Sequence, residues 1–237
     1  MLDNKRVLFK ISGEALMGEK DFGHDLKMLK SIVNDIKQAI DLGVQVCIVV
    51  GGGNIYRGRD AKYLGIPRVS GDYMGMLSTV INAIAIQNIL EQSDVSAVVQ
   101  SAISMDNICE SFSIAKAQNH MKKNRVVLFA AGIGNPYFST DSAAVVRAIE
   151  MQCDYLLKGT NVDGVYSKDP MQYSDVVKYD KITYTDILKN NLKVMDMAAI
   201  AVARENNLPI KVFNIKKPGN FVKILQDQGD CTIIRGN

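Results

Sequence analysis

Short runs of β-branched and apolar residues alternate with stretches in which apolar residues recur every three or four positions. That alternation is the signature of βαβ units and a largely parallel sheet. Val7 to Lys10 reads as the first strand. Asp25 is placed to cap a helix whose apolar positions Leu29, Ile32, Val33, Ile36 and Ile40 follow the helical period, and Gly43 stops it. Val44 to Val50 is almost continuously apolar, as expected of a strand covered by helices on both faces, and it runs into Gly51, Gly52 and Gly53.

A long helix is predicted over residues 73–92, starting from Asp72. Leu77, Val80, Ile81 and Ile84 mark one face, while Met76, Ile86 and Ile89 spread apolar character round the cylinder. Such a helix is either central to the core or buried between subunits. Strands near Val95–Gln100 and Val126–Ala130 lead to a loop over 131–139, a helix opened by Thr140 and a strand at Asp154–Lys158. After Thr160 the chain turns polar and rich in turn residues around Asn161–Ser174. Short segments follow: a helix near Asp196–Glu205, a strand at Pro209–Asn214, a helix after Pro218 and a last strand near Cys231–Arg235. The expected fold is α/β, a three-layer sandwich with a mainly parallel central sheet flanked by helices. It forms a single domain over 1–237 whose two lobes divide near residue 160.

Composition narrows the functional classes. The 237 residues are 47% hydrophobic and 22% charged with a formal net charge of +3, and no basic tract exceeds pairs such as Lys122-Lys123. A dedicated nucleic-acid binder needs a concentrated basic footprint, so no nucleic acid is expected. Cys47, Cys109, Cys153 and Cys231 are far apart and form no CxxC pair, which predicts a reduced cytoplasmic protein without structural zinc. The chain passes from Met1 through Asp3, Lys5 and Arg6 directly into an apolar strand, so no signal peptide is expected. Ser78, Thr79, Asn82, Gln87 and Asn88 interrupt the apolar stretch from Met76 to Leu90, which argues against a membrane span.

Four segments carry candidate chemistry. Lys10-Ile11-Ser12-Gly13 ends the first strand, where open α/β sheets present ligands. Gly51-Gly52-Gly53-Asn54 ends another strand, and residues without Cβ atoms let backbone N–H groups form an anion nest. Arg57 and Arg59 follow and can add charge-assisted bonds to phosphate. The run Gly132 to Asp141 places glycines, hydroxyls and aromatics before a helix N-terminus, which suits a nucleotide. Lys158-Gly159-Thr160-Asn161 repeats the strand-end lysine of Lys10, so two lysines could clamp a transferring phosphoryl group from opposite lobes. Taken singly, the glycines could be tight turns and the lysines solvated strand ends; their recurrence at successive strand ends favours phosphate.

Two familiar fingerprints fail. Gly13 and Gly18 have P-loop spacing, but Glu19 and Lys20 stand where Lys and Ser or Thr are required. Gly132 and Gly134 lack the third glycine of a dinucleotide site, because Tyr137 takes its place. His24 and His120 offer no metal-ligand spacing, and no metal ligand is assigned.

Together these segments resemble the bacterial uridylate kinases of the amino-acid-kinase superfamily, over essentially the whole chain. The run from Lys10 to Leu16 and the triple glycine mark the superfamily. More specific are Gly71-Asp72-Tyr73-Met74-Gly75-Met76-Leu77, Gly134-Asn135-Pro136-Tyr137-Phe138-Ser139-Thr140-Asp141 and Val162-Asp163-Gly164-Val165-Tyr166. The resemblance implies reversible transfer of the ATP γ-phosphoryl to UMP, giving UDP in pyrimidine nucleotide biosynthesis, with Mg²⁺ arriving with ATP. It implies that Lys10, Ile11, Ser12, Gly13, Gly53 and Arg57 hold ATP phosphates and the transferring group. Thr160, Asn161, Tyr166 and Asp169 would surround the ATP base and ribose. UMP would meet Gly52, Asp72 and Ile133, Gly134, Asn135, Pro136, Tyr137, Phe138, Ser139 and Thr140, with the N-terminal lobe as the UMP side and the C-terminal lobe as the ATP side. Lys10, Arg57, Asp141 and Lys158 are the implied catalytic residues, Asp141 as an organiser.

The same likeness implies a homohexamer activated by GTP and inhibited by UTP. Gly18, Glu19, Lys20, Asp21, Phe22 and Gly23 match the position of the GTP-activation region, and Asp21 stands where the family often has glycine, which predicts a weaker response. Two other readings remain open at this point: a carboxylate kinase of the same fold, and a regulatory protein that senses UMP or UTP without turnover.

Overall fold

In the computed structural model, residues 5–57, 63–173 and 175–236 are described. The first part of the chain alternates β1 (Arg6–Ile11), α1 (Leu26–Asp41), β2 (Gln45–Val50), α2 (Arg68–Glu91), β3 (Ala97–Ser101), β4 (Glu110–Ser111), α3 (Ile114–Lys122), β5 (Val126–Ala130), α4 (Thr140–Glu150) and β6 (Tyr155–Thr160). The remainder adds β7 (Val165–Tyr166), β8 (Lys178–Tyr179), β9 (Lys181–Thr183), α5 (Tyr184–Lys189), α6 (Met197–Glu205), β10 (Ile210–Asn214), α7 (Asn220–Leu225) and β11 (Thr232–Arg235). One nine-stranded sheet runs in the order β4-β3-β5-β2-β1-β6-β10-β11-β9, and β7 and β8 form a separate ribbon. The pairings from β4 through β10 are parallel, and β10 meets β11 antiparallel.

Alternation along β1 sets two cores. Val7, Phe9 and Ile11 point to the layer of α1, α2 and α7, where Phe9 stacks on Phe221 with centroids 4.4 Å apart. Leu8 points to the opposite layer, with residues of α3, α4, α5 and α6. Burying a large apolar side chain such as Phe9 contributes roughly 1.5–3 kcal/mol. Burial on both faces explains the continuous apolar run of β2. Asp25 caps α1, its carboxylate accepting from Met28 N at 2.7 Å.

The structure corrects the reading of α2 in two ways. The helix starts at Arg68 after Pro67, so Asp72 lies inside it and does not cap it. Proline fixes the entry backbone, and the Asp72 carboxylate is instead taken by Arg68 Nε at 2.8 Å and Tyr137 N at 2.8 Å. The faces also differ from expectation. Met76, Val80, Ala83, Ile86 and Leu90 are buried, whereas Leu77 and Ile81 are exposed. A helix apolar on both sides gives periodicity nothing to choose between them. Its length and a mean hydropathy of 1.3 over 18 residues would suit a membrane span, yet α2 packs against α1, β3 and β5.

Candidate active site

Lys10 on β1 and Lys158 on β6 are register partners on adjacent parallel strands. Both point to the α4 layer, where Asp141 stands in the first helical turn. Lys10 Nζ lies 2.9 Å from Asp141 Oδ1 and Lys158 Nζ lies 2.7 Å from Oδ2. Lys158 also donates to the carbonyl of Val194 at 2.5 Å. The three side chains are only 9%, 10% and 14% exposed for Lys10, Lys158 and Asp141. Burial alone would push the Asp141 carboxyl up, but the two ammonium groups outweigh it and hold the acid well below the usual carboxylate range. Burial pulls the Lys158 ammonium below its ordinary value, and Asp141 opposes that pull. The cluster is therefore a carboxylate shared by two cations, with donors left over for a further anion.

Helix geometry holds Asp141 there. Ser139 caps α4, its hydroxyl accepting from Asp141 N at 3.0 Å and Ser142 N at 3.3 Å. An acid in the first turn also interacts favourably with the helix dipole. Asp196, the cap of α6, accepts from the hydroxyls of Ser139 and Ser142, and so ties α6 to the start of α4. In the sequence Asp196 signals only the start of a helix, because its partner Ser142 lies 54 residues away. Nothing in the sequence reveals that the Val194 carbonyl takes a Lys158 hydrogen.

The turns after β1 and β2 touch. A Cβ on Gly13 would sit 2.7 Å from both Gly51 O and Gly53 N, so only glycine fits. Gly13→Ala should therefore lose about 1–3 kcal/mol in urea unfolding, the usual penalty of overpacking. Gly75→Ala is the control, because a Cβ there meets nothing within 4 Å and alanine favours the helix; equal losses would contradict this account.

Two cavities are lined in part by immediate neighbours of the cluster. One, of about 240 Å³, is lined by Gly52, Gly53, Arg57, Asp72, Phe138 and Thr140, among others. Arg57 there donates to Gly53 O at 3.1 Å and pairs with Glu14 at 3.3 Å. The other, of about 450 Å³, is lined by Thr160, Tyr166, Asp169 and Val194, among others. Thr140 joins the first cavity to Asp141 along the chain, and Val194 joins the second to Lys158 by its hydrogen bond.

Of the expected ligand residues, Asn161 accepts from Asn214 through its carbonyl, and Tyr137, Phe138 and Ser139 are exposed in the loop beside the first cavity. Ile133, Gly134, Asn135 and Pro136 precede them in the same loop. Ile11 ends β1, and Ser12 and Gly13 follow it, Gly13 against the glycine turn. The loop Gly18-Glu19-Lys20-Asp21-Phe22-Gly23 leads from a 3-10 turn to α1, and Gly23 N donates to Asn54 O at 2.9 Å. Arg59 lies outside the described residues.

The amino acid kinase family model matches residues 5–214. This chain belongs to that family, and within it to the uridylate kinases. It is 58% identical over 233 residues to the uridylate kinase of Rickettsia felis, spanning 98% of this chain and 96% of the relative. The uridylate kinase of Rickettsia prowazekii is 57% identical with the same coverage. Among solved structures, UMP kinase from Bacillus anthracis superposes with a TM-score of 0.94 at 37% identity, covering 98% of this chain and 96% of the other. UMP kinase from Ureaplasma parvum gives 0.92 at 39% identity, with 98% of both chains covered.

Proposed function

We infer that this enzyme transfers the γ-phosphoryl group of ATP to UMP, reversibly, giving UDP and ADP for pyrimidine nucleotide synthesis. The observation that supports this reading is the Lys10–Asp141–Lys158 cluster, with Thr140 beside it lining one cavity and Val194, bonded to Lys158, lining another. UMP takes the smaller cavity, on the N-terminal lobe up to about residue 160. There Asp72 is suited to ribose hydroxyls and the 133–140 loop covers the nucleotide. ATP takes the larger cavity, with its base and ribose near Thr160, Asn161, Tyr166 and Asp169 and its phosphates reaching Lys10, Ser12, Gly13, Gly53 and Arg57.

The chemistry follows from charge. A phosphate monoester has a second pKa of about 6, so the attacking UMP oxygen is already largely ionised at neutrality and needs no general base. Asp141, held ionised by two lysines, is a poor proton acceptor. Its role is to orient the ammonium groups. Those groups, Arg57 and the glycine amides neutralise the charge spread over the transferring phosphoryl. Asp141 spends both oxygens on lysines, and among the described residues no three His, Cys, Asp or Glu side chains group as metal ligands. Mg²⁺ is accordingly read as part of the substrate MgATP. UDP formation from UMP, CMP and dUMP, with and without GTP, tests the reading: UMP should be strongly preferred, and equal use of CMP would overturn it. Acetylglutamate as an acceptor separates the carboxylate-kinase alternative, and UMP binding without UDP would favour a sensor.

The assembly proposed is a cytoplasmic homohexamer, activated by GTP through the 18–23 loop and inhibited by UTP. Val69, Tyr73, Leu77 and Ile81 recur every fourth residue along α2 and are 40% to 50% exposed. A contiguous exposed apolar stripe marks an association surface. Light scattering should give a multiple of the chain mass, and Leu77→Lys/Ile81→Lys should lower it; a monomeric wild type would contradict the assembly.

A further inference from the structure

A buried polar network lies beneath the glycine turn. Asn54, 1% exposed, and Asn82, fully buried, face each other as a reciprocal amide pair. Asn54 Nδ2 donates to Asn82 Oδ1 at 3.0 Å, and Asn82 Nδ2 donates to Asn54 Oδ1 at 2.6 Å. The second hydrogen of each amide leaves the pair. That of Asn54 goes to Gly23 O at 2.9 Å, and that of Asn82 goes to Gly51 O at 2.7 Å. His24 Nε2 lies 2.7 Å from Asn82 Oδ1, an oxygen with no hydrogen to give, so the histidine is the donor. All four amide hydrogens are used. A network so fully satisfied has one orientation.

Its consequence falls on a single peptide unit. The Gly51 carbonyl and the Gly52 N–H are opposite ends of one planar trans peptide. Fixing the carbonyl on Asn82 therefore fixes where the Gly52 N–H points. On its other side the turn is held by Gly51 N donating to Ile11 O at 2.9 Å. Among the described residues, neither the Gly52 nor the Gly53 N–H makes a backbone hydrogen bond, and both glycines line the smaller cavity. These amides are available to an anion.

We propose that Asn82 is a positioning residue for phosphoryl transfer: it anchors the Gly51 carbonyl and so aims the Gly52 amide at the phosphates, while Asn54 holds the Asn82 amide in place. This rests on the phosphotransfer reading above. Asn82 touches no substrate, so its loss acts on the transition state more than on binding.

The test compares wild type with Asn82→Ala well below its unfolding temperature, using UDP formation and calorimetry. In the variant, kcat should fall about tenfold to a hundredfold, the scale of a misplacement near 1 Å, while UMP affinity changes less than about threefold. Binding of ADP with aluminium fluoride and UMP, which resembles the transferring state, should weaken in step with kcat. Should Asn82→Ala not fold, Asn54→Leu/Asn82→Leu keeps the volume of the pair and leaves no half-paired amide behind, only His24 and the Gly23 and Gly51 carbonyls without their partners. Unchanged kcat, or kcat and UMP affinity falling together with the folded fraction, would overturn the proposal. A wild type that forms no UDP would remove the phosphotransfer reading itself, and that result is read without any variant.

Discussion

Lys10→Ala should lower kcat by about a hundredfold to a thousandfold, the loss seen when one preorganised donor to developing charge is removed. The lysine is buried beside the cluster's only carboxylate, and its ammonium group is the one contributed by β1. Folding should survive, because Lys158 still pairs with Asp141 at 2.7 Å and the carboxylate is not orphaned. The UMP KM should change far less than kcat, since an interaction made mainly in the transition state leaves ground-state binding almost untouched. Turnover near that of the wild type would contradict the role given to Lys10.

Asp141→Asn should do the greatest damage to stability. It leaves two ammonium groups side by side in a mostly buried site, and removing one member of a buried charge set costs about 3–5 kcal/mol. The pH dependence has a definite sign. The folded-state pKa of Asp141 lies below its ordinary value of 3.8, so on acidification the unfolded chain takes up the proton first. The stabilisation is thus fully present above the ordinary carboxylate range and is lost as pH falls toward the folded value. Urea unfolding should show a wide gap between wild type and Asp141→Asn at neutral pH, narrowing below the ordinary carboxylate range. A gap of equal width in acid would mean that Asp141 does not carry this linkage.

Strand-end chemistry was legible in the sequence because it depends on local pattern. Lys10, the triple glycine and Lys158 each follow an apolar run, and parallel topology brings such ends to one side. The helix cap Asp25 is similarly local, a carboxylate before a helical period. What escaped reading is long-range. The two-residue strand β4 pairs only at its edge with β3 and has too few residues to show a period. The inward face of α2 was hidden by apolar residues on its other side. Thr79 and Asn82 were visible only as polar interruptions of an apolar run, yet Thr79 Oγ1 accepts from Ala131 N at 2.8 Å and Asn82 holds Gly51 O. Polar residues in a buried helix need partners, and that rule was the available signal. Which partners they find depends on the packed fold.

The most direct measurement is a crystal structure of the enzyme with ADP, aluminium fluoride and UMP. The fluoride group should lie within hydrogen-bonding reach of Lys10 Nζ and of a glycine-turn amide, with Lys158 beside it and UMP against Asp72. A fluoride group bound in a cavity remote from Lys10 and Lys158 would contradict the account.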